Sequence, residues 1–183
     1  RGYPQFSAPD EYLQAIHDAG FDILGTANNH SLDRRKRGLE RTLALADSLG
    51  IPTMGTYRDS TDRLQRYPLM VEKNGVRIAL LCATYGTNGI NLPAGSELVI
   101  PLENYDEIDR QTKEARAMAD VVIVSMHWGH EDWFKPSDNQ KNLARLMADN
   151  GVDVIIGHHS HTLQPIEWLD RPDGKKTLCV YSL

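Results

Sequence analysis

Only two cysteines occur in 183 residues, Cys82 and Cys179, and neither has a CxxC partner. That argues against a disulfide framework. Both sit in apolar strand patterns and are expected as buried free thiols, which say little about compartment. No apolar run approaches the roughly 20 residues that cross a bilayer. Arg1-Gly2-Tyr3-Pro4 leads into a polar segment, so the start does not resemble a signal peptide. Positive charge is not in excess either. Twenty Lys and Arg against 25 Asp and Glu leave a net charge of −5, which argues against nucleic acid as a partner. Repeats, low-complexity tracts and linkers are missing, so residues 1–183 read as one domain with a sizeable core.

What is present is an alternation of strands and helices. Ser7-Ala8-Pro9-Asp10 predicts a helix start, with Ser7 as cap, Tyr12, Ile16 and Ala19 as apolar side and Gly20 as stop. Asp22 to Thr26 predicts a short buried strand, and Leu39, Leu43, Ala46 and Leu49 a helix closed by Gly50. Asn74-Gly75 between the apolar runs 67–73 and 76–83 predicts a two-residue hairpin. Residues 85–102, rich in Gly, Asn and Pro, read as a long loop. Helices are expected near 107–118 and 139–150, and buried strands at 121–126 and 152–156. A last hairpin, 163–169 with 177–183, turns around Arg171-Pro172-Asp173-Gly174. This order implies an α/β layered domain with antiparallel pairs added.

Six of the seven histidines gather in or beside three segments that each follow a strand: Ala27-Asn28-Asn29-His30, His127-Trp128-Gly129 and Gly157-His158-His159-Ser160-His161. Side chains leaving the C-terminal ends of neighbouring parallel strands converge in one crevice. Imidazoles and an Asn oxygen meeting there suit Zn, Mn or Fe. His159 and His161, one residue apart, share a side if their segment is extended, with His158 facing away as an outer-layer or structural residue. His127 ends its own strand; Glu131 and Asp132 are near enough to accept from its second ring nitrogen. His30 can move a proton, and Asp33 either orients it or caps the next helix. Trp128, Trp133 and Phe134 form either a substrate wall or an anchor for the loop.

These segments are the later motifs of calcineurin-like metallophosphoesterases: Gly-Asn-His (with Asn28 in the place of Gly), a lone strand-end His and Gly-His-x-His. In finer wording the chain resembles the CapA (PGA_cap) family of bacterial poly-γ-glutamate capsule biosynthesis proteins. The resemblance rests on Phe21-Asp22, the run from Ala27 to Asp33, His127-Trp128-Gly129-His130-Glu131, the run from Gly157 to Glu167, the run from Lys73 to Ala79, and Tyr181-Ser182-Leu183. It covers nearly the whole chain.

The resemblance implies a metallophosphoesterase-like four-layer α/β/β/α sandwich, its mixed sheets flanked by helices. It makes Asn29, His127, His159 and His161 metal ligands, His30 the catalytic histidine with Asp33 beside it, and Glu131 an outer-layer or substrate contact. Two divalent transition ions (Mn, Fe or Zn) are implied for the full-length protein. The implied reaction is hydrolysis of a phosphoester or a γ-glutamyl bond. The alternative is a non-catalytic, polymer-binding accessory subunit of a capsule synthesis or export complex. Expected partners are an anionic polymer or phosphoester substrate and capsule synthase or export subunits. The implied location is extracytoplasmic, at the cell envelope, with membrane anchoring of the full-length protein left open.

Two departures stand out. The family's earlier Gly-Asp and Asn-Leu-Glu ligand elements, and its Gly-Asn continuation after Tyr-Ser-Leu, do not occur, so the chain is expected to be partial at both ends. After Asp33 stands Arg34-Arg35-Lys36-Arg37 where the family usually has Tyr-Gly. That run is either a solvated basic turn or an anion-binding rim in which Arg34 and Arg35, with Glu131 and Trp128 elsewhere, contact substrate.

Overall fold

Along the strand Val121–His127, burial alternates with period two. Val122, Val124 and Met126, then Trp128 just beyond, turn to one face. Val121, Ile123, Ser125 and His127 turn to the other, as a pleated strand requires. The first face is the main core. It is shared with Ala79, Leu81, Ala83, Ile155 and Cys179 of neighbouring strands and with Ile108, Ala115, Leu143 and Met147 of two helices. The second face carries the chemistry.

The computed structural model describes residues 2–183; Arg1, at the head of the opening tetrapeptide, lies outside them. In chain order the elements are α1 (Asp10–Asp18), β1 (Leu24–Gly25), α2 (Arg35–Ser48), β2 (Thr53–Met54), α3 (Ser60–Arg66), β3 (Leu69–Lys73), β4 (Val76–Thr84), α4 (Tyr105–Met118), β5 (Val121–His127), α5 (Asp138–Asp149), β6 (Val154–His158), β7 (Ile166–Asp170) and β8 (Lys176–Val180). Six strands form a mixed sheet in the order β3-β4-β5-β6-β8-β7, and β1 with β2 forms a second, two-stranded one. The four inner strands are parallel, while the edges β3 and β7 pair antiparallel through hairpins. The parallel strands therefore end together on one side, at Thr84, His127, His158 and Val180.

The layers stack as an α/β sandwich. Helices α4 and α5 cover one face of the large sheet. Its other face meets the small sheet, so closely that a Cβ on Gly55 would stand 2.8 Å from Ala27 Cβ and 2.9 Å from Cys82 Sγ. Beyond β1, α1 and α2 wall a cavity of 440 Å³ through Leu13, Ile16, Leu39 and Leu45, with Leu24 of β1 at its base.

Local chemistry explains most element ends. Asn74 (φ 53°) and Gly75 (φ 77°) take the left-handed pair that a two-residue hairpin needs. Asn104 caps α4 by accepting from Glu107 N, and Ser137 with Gln140 forms a full capping box on α5. Some expectations fail. Pro9, not Ser7, stands at the start of α1, and α1 buries no residue: Leu13 and Ile16 are half-buried and Tyr12 is exposed. The 22–26 strand shortens to Leu24–Gly25. Helix α3 and strand β2 were not foreseen, although Asp59 accepting from Asp62 N is an ordinary cap signal.

Candidate metal centre

Register in the large sheet brings the first two imidazoles together. His127 and His158 are directly paired neighbours on β5 and β6 and point to the same face. Their Nδ1 atoms lie 2.8 Å apart, and His158 Nε2 lies 2.9 Å from Ser125 Oγ. His127 Nε2 in turn faces Asn29 Oδ1 at 2.9 Å. Only one direction of donation satisfies an amide oxygen at the end. Ser125 donates to His158, His158 Nδ1–H donates to His127 Nδ1, and His127 Nε2–H donates to Asn29. All members are then neutral, which matches their surroundings. Burial, reinforced by the neighbouring imidazoles of His158 and His159, pushes His127 down to about 3. Burial also lowers His158. The second-nitrogen partner of His127 is thus His158, and neither Glu131 nor Asp132 as the sequence spacing suggested.

His159 and His161 converge for a reason other than the expected one. Strand β6 stops at His158; His159 (φ 106°) and His161 (φ 58°) both take the left-handed region, so the segment coils. Such backbone costs on the order of 1–3 kcal/mol per non-glycine residue and concentrates at functional sites. The turn brings ligand atoms of His159, His161 and Glu131 within 4.8 Å of one another. His159 is buried, its Nδ1 has no hydrogen-bond partner among the described residues, and its imidazole is held below the usual range by burial, the Glu131 carboxylate opposing.

Around β1, the tight turn splits the two asparagines. Asn28 serves the backbone, its Oδ1 accepting from His30 N at 2.8 Å, while Asn29 is buried and faces His127. His30 Nδ1 contacts Asp33 Oδ2 at 2.8 Å, and the same oxygen accepts from Phe6 N at 2.7 Å. Asp33 therefore orients His30 rather than capping α2, whose cap position is Arg34 with no side-chain bond. His30 lines both the imidazole crevice and the cavity under α1.

The remaining predicted residues divide. Arg34 and Arg35 lie on the far side of the His30–Asp33 pair, lining a cavity with Arg37 and Arg41 rather than the imidazole crevice. Trp128 is a correction. It is fully buried, donates Nε1–H to Tyr181 O at 2.9 Å and packs in the core, so it has no face to offer a substrate. Tyr85 and Asn88 were missed. Tyr85 tilts over His159 at 4.6 Å between ring centroids, and Asn88 Oδ1 accepts from both Tyr85 Oη and Asn29 Nδ2. Tyr85 directly follows β4 as the site histidines follow theirs; that position was the available signal.

The donor set fits a divalent transition metal: imidazoles kept neutral by burial, an amide oxygen, a carboxylate and a His159 ring that lies 4.7 Å from that of His127 and carries a buried, unpartnered Nδ1. Among the described residues no helix is long and apolar enough to cross a membrane.

The layered sheets with an imidazole-lined crevice at their strand ends define the class: a layered α/β sandwich. A 5'-nucleotidase precursor from Thermus thermophilus shares the fold, with a TM-score of 0.58 over 93% of this chain and 34% of that one at 19% identity. Residues 1–183 match the bacterial capsule synthesis protein PGA_cap family, and the chain belongs to that family. The PGA biosynthesis protein CapA of Bacillus subtilis (strain 168) is 35% identical over 167 residues, 86% of this chain and 41% of that protein. The capsule biosynthesis protein CapA of Bacillus anthracis is 33% identical over 165 residues, 88% of this chain and 40% of that protein. The chain thus spans about 40% of the length of these curated relatives.

Proposed function

We propose that this chain is the site-bearing part of a capsule (poly-γ-glutamate) biosynthesis protein whose site is a metal-dependent hydrolase centre acting on a phosphoester or γ-glutamyl bond. One observation carries the reading: Asn29, His127, His159 and His161 meet at the strand ends with a His30–Asp33 pair at their edge. Its support in kinship is the CapA relatives, named for PGA and capsule biosynthesis, from which the capsule role is taken; a place at the cell envelope is what such a role implies.

In this reading Asn29, His127, His159 and His161 hold divalent ions, two in the full-length protein. Bound ions supply Lewis-acid polarisation of the reacting group and activation of water at neutral pH. The chain's own residues do the rest. Asp33, held by Phe6 N–H, engages His30 Nδ1 and leaves Nε2 to give a proton to the departing group. The His158–Ser125 pair fixes the ring of His127, and Tyr85 walls His159.

His30→Ala should lower turnover of a phosphodiester or γ-glutamyl substrate about 10²–10⁴-fold while metal content by elemental analysis stays at the parent's level. Unchanged turnover removes His30 from the chemistry. A parent that binds metal yet turns over neither substrate favours a second reading, a polymer-binding accessory component. One observation supports that alternative: Arg34, Arg35 and Arg37 have no carboxylate partner among the described residues and form a free cationic rim.

A further inference from the structure

We propose that Glu131 is a metal ligand. With His159 and His161 it makes a three-donor site for one divalent transition ion, complete within this chain. The inference rests on the metal-centre reading above and adds to it a carboxylate that the sequence placed only as an outer-layer or substrate contact.

The geometry is built, not incidental. Glu131 sits on the loop after β5, two residues from Gly129, whose φ of 86° and contact with Gln140 leave no room for a side chain: a Cβ there would lie 2.6 Å from Gln140 Oε1. Asp132 (φ 61°) continues the left-handed course, and its N–H donates to Ser160 O at 2.8 Å, between the two histidines in sequence. Buried Gln140 donates to Gln164 Oε1 at 3.0 Å, and Gln164 Nε2 donates to Trp133 O at 2.8 Å. These bonds clamp the Glu131 loop to the His159–His161 turn from both ends. The result brings three candidate ligand atoms within 4.8 Å.

Two donors on one tetrahedral ion at about 2.0–2.1 Å lie roughly 3.4 Å apart. The gap left to close is therefore at most about 1.4 Å, within the swing of two exposed side chains, Glu131 and His161, about a buried His159. His159 supplies the independent sign of a missing ligand, since its Nδ1 is buried without a partner among the described residues. The carboxylate also offsets charge: a divalent ion held only by imidazoles keeps its full double charge in a half-buried crevice, and one anionic ligand halves it.

The test is titration of the chain with Co(II), read by its ligand-field absorption, for the parent, Glu131→Gln and Glu131→Asp. The parent should bind, Glu131→Gln should weaken Co(II) at least about ten-fold with a changed spectrum, and Glu131→Asp should keep an intermediate affinity. Circular dichroism melting confirms that each variant folds, as expected for an exposed position. Equal affinity and spectrum in Glu131→Gln, or no Co(II) binding by the parent, overturns the proposal. Turnover separates it from the functional reading: Glu131-dependent binding without hydrolysis keeps this ligand and removes the hydrolase, whereas hydrolysis with Glu131-independent binding does the reverse.

Discussion

His127 shows at a single residue how the crevice selects its chemistry. A free imidazole binds a proton near 6.5, whereas burial and its neighbours push His127 down to about 3. Between those values the unfolded chain holds a proton that the folded one refuses. Stability is therefore full above about pH 6.5 and falls as pH drops toward 3. In chelator-treated protein the urea midpoint should decline from about pH 7.5 to about pH 5, and His127→Gln should flatten the decline without abolishing it, because His158 and His159 are lowered too. A variant with the parent's slope would take His127 out of the account. Metal affinity follows the same logic, since a ligand that is already neutral spends nothing on losing a proton.

At the scale of elements, strand β6 matters most, because it passes from core to site within two residues. Gly157 faces the core side and His158 the site side. A Cβ on Gly157 would lie 2.1 Å from Tyr181 O and 2.4 Å from Trp128 Nε1, two atoms already bonded to each other. Neither can retreat: one is backbone on the neighbouring chain segment, the other a fully buried indole. Gly157→Ala should cost about 3 kcal/mol, the upper end for overpacking, measured by urea unfolding. A loss below about 0.5 kcal/mol would mean that the sheet yields there more readily than its packing implies. The same contact accounts for Trp128, which secures the loop carrying His130 and Glu131 from beneath.

For the whole molecule, the candidate site and an ion-paired cluster occupy opposite ends of the large sheet. The site lies at the C-terminal ends of the parallel strands, and at the other end Asp153 joins three elements. It accepts from Arg116 of α4 at 2.8 Å, from Val122 N of β5 at 2.8 Å and from Arg171, beyond β7, at 2.7 Å. Arg171 is buried and keeps Asp173 as its second partner. Asp153→Ala leaves Val122 N–H unpaired and Arg171 half-compensated, so unfolding free energy should fall by about 2–3 kcal/mol. Co(II) affinity of the folded protein should stay within about two-fold. A parallel loss of metal binding would show that the two ends are coupled through the sheet.

How far the chain could be read in advance follows from which of its interactions are local. The order of most strands and helices, the Asn74-Gly75 hairpin and the motif wording that marks the family are set by residues a few positions apart, and the sequence alone determined them; helix α3 and strand β2 were not read from it. Three things depended on tertiary structure. The His127–His158 pairing comes from strand register. The meeting of Glu131 with His159 and His161 comes from two left-handed turns clamped through Gln140 and Gln164. The entry of Tyr85 into the crevice, and the withdrawal of Trp128 from it, depend on which face of the sheet each strand end presents. Each is a contact between segments tens of residues apart, whose geometry is fixed only when the sheet is assembled and its core filled.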